Sequence, residues 1–222
     1  MQNKEVHIFD ICGTLYHSNT TYDFLLFYFK RNNGSKYRKY QFCFSLVSKV
    51  IWKLLTFLGY KKWIRNFLVS FIKNEPESMV TTEANEFVKL VLIHKEVAFV
   101  KNILLKTKNN PNMEIWFVSA SIEPVVKAIA KHFDITNYVS TILAVNNHRF
   151  TGKMIEDLEG KKHVKLTQEG ILKPNAKRVV YTDSKEDVAL VQQSEKAYLV
   201  GQRKNETYWK DKVSSKTEII FV

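Results

Sequence analysis

The sequence predicts an α/β protein built on a doubly wound parallel sheet, and three observations favour that fold class. Four short apolar runs, rich in β-branched and aromatic residues, are too short to be buried helices. Polar residues follow the first three runs directly, and helical segments come after those. Strands that alternate with helices form a parallel sheet with helices on both faces. The predicted strands are residues 6–9, 115–118, 179–181 and 197–200.

The other elements continue this alternation along the chain. Helices are predicted over residues 123–132 and 185–194, each after a polar strand end. Residues 142–151 are expected to form a hairpin with Asn146 and Asn147 at its turn. The segment TEIIFV, residues 217–222, is expected to add a final strand.

A long helical stretch, roughly residues 20–108, separates the first two strands. It is too long for a simple crossover, and the segments NNGS (32–35) and NEPE (74–77) mark breaks within it. We therefore expect a helical cap over residues 20–108, inserted after the first strand. Residues 1–19 and 109–222 would form the α/β core.

The composition is that of a globular protein with an unusual charge balance. Of 222 residues, 34 are Lys or Arg and 22 are Asp or Glu, which gives a net charge of +12. Such a surface favours anionic partners. Cys12 and Cys43 have no metal-site spacing and form no disulfide framework. No signal-peptide pattern precedes the first strand, so a cytoplasmic location is expected.

The first predicted strand ends in residues suited to phosphate and metal chemistry. A carboxylate at Asp10 can attack an electrophile or bind a hard cation. Gly13 permits a tight turn, and the Thr14 hydroxyl with nearby N–H groups can hold phosphate oxygens.

Polar residues also follow the second and third strands. Ser119 can donate to an anionic oxygen and Ser121 can cap the next helix, or both serines act only as caps. Asp183 and Asp187 follow the third strand, and acids there can also serve a helix N-terminus alone. Because ligands of such sheets bind beyond the carboxyl ends of the strands, these acids are expected to converge with Asp10. Oxygen ligands of this kind suit Mg²⁺.

The ordered set of motifs resembles the haloacid dehalogenase-like superfamily. The motifs are FDxxGTL at residues 9–15, a strand that ends in Ser, a Lys, and DSxxD at residues 183–187. The helical insertion, VSAS and the stretch HRFTGKM are most similar to the phosphoserine phosphatase-like branch. The resemblance spans nearly the whole chain. It implies a Rossmann-like core and a phosphatase that hydrolyses a small phosphorylated substrate.

The resemblance also implies roles for single residues. Asp10 would be the nucleophile that forms an aspartyl-phosphate. Thr14, Ser119 and Ala120 would contact the phosphoryl group, and a lysine, preferably Lys162, would neutralise charge.

Metal binding is implied in the same way. Mg²⁺ would be bound by Asp10, the backbone carbonyl of Cys12 and Asp183, and Asp187 would support the site.

Cys12 departs from the pattern of the family. That position usually holds a second Asp, which protonates the leaving oxygen and then activates water. The loss of such proton transfer typically costs about 10²–10⁴-fold in rate. A thiol beside a carboxylate is a poor substitute because the carboxylate raises its pKa. The sequence therefore predicts a retained nucleophile and metal site with a weakened acid–base function.

The third motif of this order, the lysine, also departs from the pattern of the family. The usual alignment places His163 where the lysine belongs, whereas Lys161 or Lys162 supplies the charge after a small register change. Thr182 stands where the branch usually has Gly before the acid.

Residues 24–74 contain many Lys and Arg but no Asp or Glu. Lys49 and Lys53 interrupt the apolar run 42–60, which is typical of a basic amphipathic helix and not of a membrane span. The preferred interpretation is a lid that packs its apolar face on the core. The alternatives are peripheral contact with an anionic membrane or a lipid-phosphate substrate; nucleic acid comes last, since no nucleic-acid module is recognisable.

The leading hypothesis is thus a Mg²⁺-dependent phosphomonoester hydrolase. Its rival is a catalytically degenerate phosphate-binding or membrane-associated protein, which Cys12, His163 and Thr182 favour. A changed bond specificity, as in carbon–halogen cleavage, is a third and less favoured hypothesis.

Overall fold

The computed structural model describes residues 5–172 and 177–222, and seven strands in them form a single sheet. The strands are β1 (Glu5–Phe9), β2 (Met113–Ile122), β3 (Tyr138–Asn146), β4 (Arg149–Glu156), β5 (Arg178–Thr182), β6 (Lys196–Leu199) and β7 (Glu218–Phe221). Their order is β4-β3-β2-β1-β5-β6-β7, and every neighbouring pair is parallel except the β3–β4 hairpin. The predicted α/β fold class is confirmed.

The α-helices of the described chain fall into two groups. Those between β1 and β2 are α1 (Thr20–Asn32), α2 (Gly34–Phe42), α3 (Leu46–Phe57), α4 (Lys61–Ser70), α5 (Glu77–Leu90) and α6 (Ala98–Lys108). Those after β2 are α7 (Glu123–Phe133), α8 (Lys162–Gln168), α9 (Val188–Val191) and α10 (Glu206–Lys212). Short 3₁₀ turns lie at Leu92–Lys95, Lys185–Asp187 and Arg203–Asn205.

The central strand β1 lies between two apolar layers, one on each face of the sheet. Ile8 belongs to the apolar cluster on one face of the sheet, and Phe9 belongs to the cluster on the other face. In register, Phe9 lies between Phe117 of β2 and Tyr181 of β5. The rings of Phe9 and Tyr181 stack with centroids 4.1 Å apart. This packing holds the ends of β1, β2 and β5 side by side.

The helices between β1 and β2 share the core of the sheet. Helix α5 packs on α7, and α4 packs on β4. One apolar cluster includes Phe9 of β1, Leu25 of α1, Phe87 of α5 and Val125 of α7. The division into a core and a cap stays a prediction.

Two predicted elements were wrong in detail. The helix predicted over residues 185–194 is instead a 3₁₀ turn followed by the short α9, because the Asp187 side chain turns inward to other partners. The hairpin turn is Asn147 and His148, one residue later than expected. Both have left-handed backbone angles, φ 48° and 59°, as a two-residue turn requires.

The lid interpretation was wrong for α3. Most of its apolar side chains are exposed to solvent; Ser48 is buried, and only Trp52 and Leu55 of its apolar residues are half-buried against the core. Among the helices of the described chain, none combines the length and the apolar character needed to cross a bilayer.

Candidate active site

The structure brings three of the predicted site residues into direct contact. Lys162, at the start of α8, lies with its Nζ 2.9 Å from Asp10 Oδ1 and 2.8 Å from Asp187 Oδ2. All three side chains are buried. Lys162 thus joins the residue after β1 to the turn that follows β5.

The tight turn after β1 brings a further acid to the same place. Gly13 has φ +73°, and a Cβ at this position would overlap Asp183 Oδ2. Thr14 Oγ1 donates to Asp183 Oδ1 over 3.3 Å. The backbone N–H of Ile11 donates to Asp10 Oδ1 over 2.7 Å, which fixes the orientation of that carboxylate. The glycine is required because it lets Asp183 approach the turn.

Gly13→Ala is expected to destabilise the fold and lower the phosphatase activity that the sequence predicts. A left-handed alanine costs about 1–2 kcal/mol of unfolding free energy, and displacement of Asp183 adds a loss of activity of about 10²-fold. The matched control is Gly170→Ala, because Gly170 has φ +68° but no heavy atom within 4 Å of its would-be Cβ. Urea unfolding and phosphatase assays of both variants measure the difference. Equal losses of activity in Gly13→Ala and Gly170→Ala would contradict a functional role for the close approach of Asp183 to Gly13.

The structure distinguishes the three residues considered for the third motif. Lys161 is exposed at the start of α8. His163 turns away, with its Nε2 2.6 Å from Nε2 of Gln193. Lys162 alone of the three contacts Asp10, and Thr182 Oγ1 donates to Asp187 over 2.6 Å from the other side.

The electrostatics of the site leave negative charge in excess. Burial is the main reason that the pKa of Asp10 is raised to about 7; Lys162 lowers this pKa, and the charge of Asp187 raises it. Burial also raises the pKa of Asp183. Burial lowers the pKa of Lys162, but Asp10 and Asp187 outweigh it and the pKa is raised overall. One ammonium therefore faces three carboxyl groups.

This donor set fits a magnesium ion. Mg²⁺ usually takes one or two carboxylates and keeps several waters, and Asp10 and Asp183 supply two carboxylates at the edge of a cavity. Within residues 5–172 and 177–222, no cluster of three or more His, Cys, Asp or Glu side chains is arranged to hold a metal. A hard cation would offset the excess negative charge here.

Cys12 lines the cavity, and its side chain is a thiol and not a thiolate. Its Sγ is 2.9 Å from Thr20 Oγ1 and 4.0 Å from Ser119 Oγ. Burial raises the pKa of Cys12, and the charge of Asp10 raises it further. With a raised pKa the group stays a thiol at neutral pH, and a thiol is a poor proton acceptor and a much weaker nucleophile than a thiolate.

A hydroxyl cluster that the sequence did not predict ties α1 to β2. Thr20 Oγ1 donates to Ser121 Oγ over 2.8 Å, and the oxygens of Thr21 and Ser121 are 2.9 Å apart. Ser121 therefore does not cap α7, which begins after Ile122 without a side-chain cap. Ser119 Oγ accepts from the Ser121 N–H over 3.2 Å. The sequence signal was the pair of threonines that opens the helix after the first motif.

Two cations of α4 also line the cavity and were not predicted as site residues. Lys61 pairs with Glu159 at 2.8 Å and with Glu186. Arg65 is buried, and its Nη2 donates to the carbonyl of Ala120 over 2.5 Å. The available signal was the basic segment KKWIR at residues 61–65, which periodicity could not orient.

The cavity encloses about 440 Å³ at the carboxyl ends of β1, β2 and β5. Its lining includes the predicted residues Asp10, Cys12, Ser119, Ala120, Lys162, Asp183 and Asp187. Thr14 is buried behind it and contacts Asp183. The site predicted from separate segments of the sequence is thus a single cavity.

A family model described as haloacid dehalogenase-like hydrolase matches residues 8–192. The chain belongs to this family of hydrolases. The resemblance predicted from the motifs is therefore confirmed at the level of the family, whereas the interpretation of Cys12 as a replaced Asp stays a prediction. No curated protein matches the chain.

Solved structures of this hydrolase fold are similar over nearly the whole chain. A protein of unknown function from Bordetella pertussis Tohama I has TM-score 0.79 at 14% identity, with 99% of both chains covered. A substrate-bound phosphoserine phosphatase complex has TM-score 0.59 at 15% identity, covering 99% of this chain and 94% of that one. A phosphoserine phosphohydrolase-like protein from Francisella tularensis subsp. tularensis SCHU S4 has TM-score 0.58 at 13% identity, covering 97% and 94%. At these identities the likeness shows the fold.

Proposed function

We propose that this hydrolase cleaves phosphomonoesters with Mg²⁺ as its cofactor. The observation that carries the proposal is the buried carboxylate of Asp10, 2.9 Å from Lys162 Nζ and at the edge of a polar cavity. Membership of the family and the fold likeness to phosphoserine phosphatases support the same reaction class.

In the proposed reaction an oxygen of Asp10 attacks phosphorus and the ester P–O bond breaks. The leaving oxygen takes a proton from solvent, and a water molecule then hydrolyses the aspartyl-phosphate to release inorganic phosphate and free Asp10. Lys162 offsets the charge of Asp10, and Ser119 donates to a phosphoryl oxygen. Thr14 holds Asp183, and the backbone of Ala120 lines the phosphoryl side of the cavity.

Asp10, Asp183 and the backbone carbonyl of Cys12 would hold Mg²⁺, which supplies positive charge beside the phosphoryl oxygens. Asp187 supports this arrangement indirectly, because it is held by Lys162 and Thr182.

A colorimetric assay tests the proposal. The purified protein with Mg²⁺ is expected to release phosphate from para-nitrophenyl phosphate, and a chelator is expected to stop the release until Mg²⁺ is added back. Absence of phosphate release from both aryl and alkyl phosphates would overturn the proposal.

Cys12→Asp is expected to raise turnover by at least about tenfold, since general acid–base catalysis is worth about 10²–10⁴-fold when well placed. The gain should be larger for an alkyl phosphate such as phosphoserine than for para-nitrophenyl phosphate, because the aryl group leaves without protonation. Cys12→Ser is the matched control, because it changes the thiol without adding an acid. Equal turnover of the Asp and Ser variants would contradict a missing acid.

A phosphate-binding protein without turnover is the second candidate, and the protonated Cys12 thiol favours it. Calorimetry with inorganic phosphate separates the two functions. Binding without phosphate release in the wild type and in Cys12→Asp would support the second candidate.

The cavity volume suits a small phosphorylated substrate. A lipid phosphate is the alternative substrate, and the exposed apolar face of α3 favours it, because α3 contacts the α4 helix that lines the cavity.

A further inference from the structure

Helix α3 turns its apolar side away from the core. Leu46 is 81% exposed, Val50 71% and Phe57 87%. On the inner side, Ser48 Oγ donates to the carbonyl of Phe42 over 2.8 Å, and Trp52 Nε1 donates to the carbonyl of Cys43 over 2.6 Å. The outward orientation of the apolar side is therefore fixed by specific contacts.

We define the α3 surface as the exposed apolar residues of this helix and its flanks: Phe42, Leu46, Val47, Val50, Ile51, Leu54, Phe57 and Leu58. Those that belong to α3 recur at helical spacing and therefore share one side of this helix. Contiguous exposed apolar patches on soluble proteins mark interaction surfaces, whereas scattered apolar residues do not.

The charges around the α3 surface restrict its partner. Residues 24–74 contain no acidic residue. Lys49 and Lys53 are exposed and lie four residues apart, so they share one side of the helix beside the apolar residues. In the part of the chain that the structure describes, neither lysine has a carboxylate oxygen within 4.0 Å of its Nζ. The partner should therefore combine negative charge with an apolar interior.

A lipid bilayer with anionic headgroups has both properties, whereas the α3 surface of a second copy carries the same positive charge. A two-fold interface through the α3 surface would bring the same lysines of two copies near each other, which is unfavourable. A helix of 12 residues is also shorter than the apolar core of a bilayer.

We infer that the α3 surface docks on an anionic membrane. The helix lies in the plane of the interface, with its apolar residues among the acyl chains and Lys49 and Lys53 at the headgroups. Docking brings α4, which carries Lys61 and Arg65 into the cavity, close to the lipid surface. The inference rests on exposure and charge, and it does not depend on the proposed phosphatase activity.

Co-sedimentation with vesicles tests the inference on the full chain. The wild type is expected to bind vesicles of phosphatidylcholine mixed with phosphatidylglycerol, to bind vesicles of phosphatidylcholine alone far less, and to dissociate at high salt. Asp10→Asn should bind as the wild type does, because docking needs no turnover.

Two pairs of variants assign the binding to the α3 surface. Val50→Asp with Leu54→Asp is expected to lower the partition coefficient at least about tenfold, whereas Ile155→Asp, at a 72% exposed site on β4, should leave it unchanged. Lys49→Glu with Lys53→Glu should weaken binding to the anionic vesicles about tenfold. Lys204→Glu with Lys216→Glu changes the net charge equally at other exposed sites and should weaken it far less.

Circular dichroism melts check that each variant is folded, and light scattering measures the oligomeric state. Absence of wild-type binding to anionic vesicles would overturn the inference. Equal losses in the α3 and control variants would overturn it too. A dimer that Val50→Asp with Leu54→Asp dissociates, without any vesicle binding, would assign the surface to self-association instead.

Discussion

Asp10→Asn is expected to reduce phosphate release by at least about 10³-fold, because it removes the proposed nucleophile and leaves no covalent route. An amide oxygen neither attacks phosphorus at a useful rate nor carries the charge that holds a hard cation. The measurement is turnover of para-nitrophenyl phosphate at saturating Mg²⁺. A variant that keeps a tenth or more of the wild-type turnover would contradict the nucleophilic role of Asp10.

The stability of Asp10→Asn shows whether a fall in its turnover is due to the missing nucleophile or to unfolding. The pKa of Asp10 is raised to about 7 in the folded protein, so ionisation of Asp10 lowers stability as the pH rises from its unfolded pKa, near 4, toward 7. Asn resembles the protonated carboxyl, and its unfolding midpoint without Mg²⁺ at neutral pH is expected to be no lower than that of the wild type. Asp211→Asn, at an exposed site on α10, is the control and should change neither property.

Lys162→Met is expected to lower the free energy of unfolding by about 3–5 kcal/mol, the usual cost of leaving buried charges without their partner. It leaves Asp10 and Asp187 facing each other without the ammonium that contacts both at 2.9 and 2.8 Å. The loss should be smaller at acidic pH, because Asp10 is protonated there: its pKa is raised to about 7 with Lys162 present, and the variant lacks the lowering effect of Lys162. Urea unfolding at neutral and acidic pH measures both effects.

The neighbouring residues supply the controls for this prediction. Lys161→Met changes an exposed lysine and is expected to alter stability by less than about 0.5 kcal/mol. His163→Ala removes a contact with Gln193 and should leave turnover close to that of the wild type. If Lys161→Met or His163→Ala abolished turnover and Lys162→Met did not, the assignment of the third motif would be wrong.

The sequence predicted the sheet and the ends of its strands because both depend on local pattern. Short apolar runs identified β1, β2, β5 and β6, and TEIIFV identified β7. Since parallel strands end at one edge of a sheet, the sequence pattern places Asp10, Ser119 and Asp183 together. In the structure, all three residues line one cavity.

The sequence favoured Lys162 for the third motif but could not fix it, because its position depends on the orientation of a helix start. Lys161, Lys162 and His163 are adjacent, and a rotation of about 100° per residue decides which one faces the sheet. In the same way, the segment after Thr182 turns Asp187 inward to Lys162. This segment is therefore a 3₁₀ turn and not the start of the predicted helix. Both orientations are determined by long-range contacts, which no local sequence pattern indicates.

By itself, then, the sequence determined the alternation of strands and helices, the acids at the strand ends and the amphipathic character of α3. Only the tertiary structure decided that Lys162 enters the site, that Arg65 is buried against Ala120, and that the apolar side of α3 faces solvent. Periodicity fixes which residues share a face of a helix. Whether that face is buried depends on the free energy of packing against elements distant in the chain.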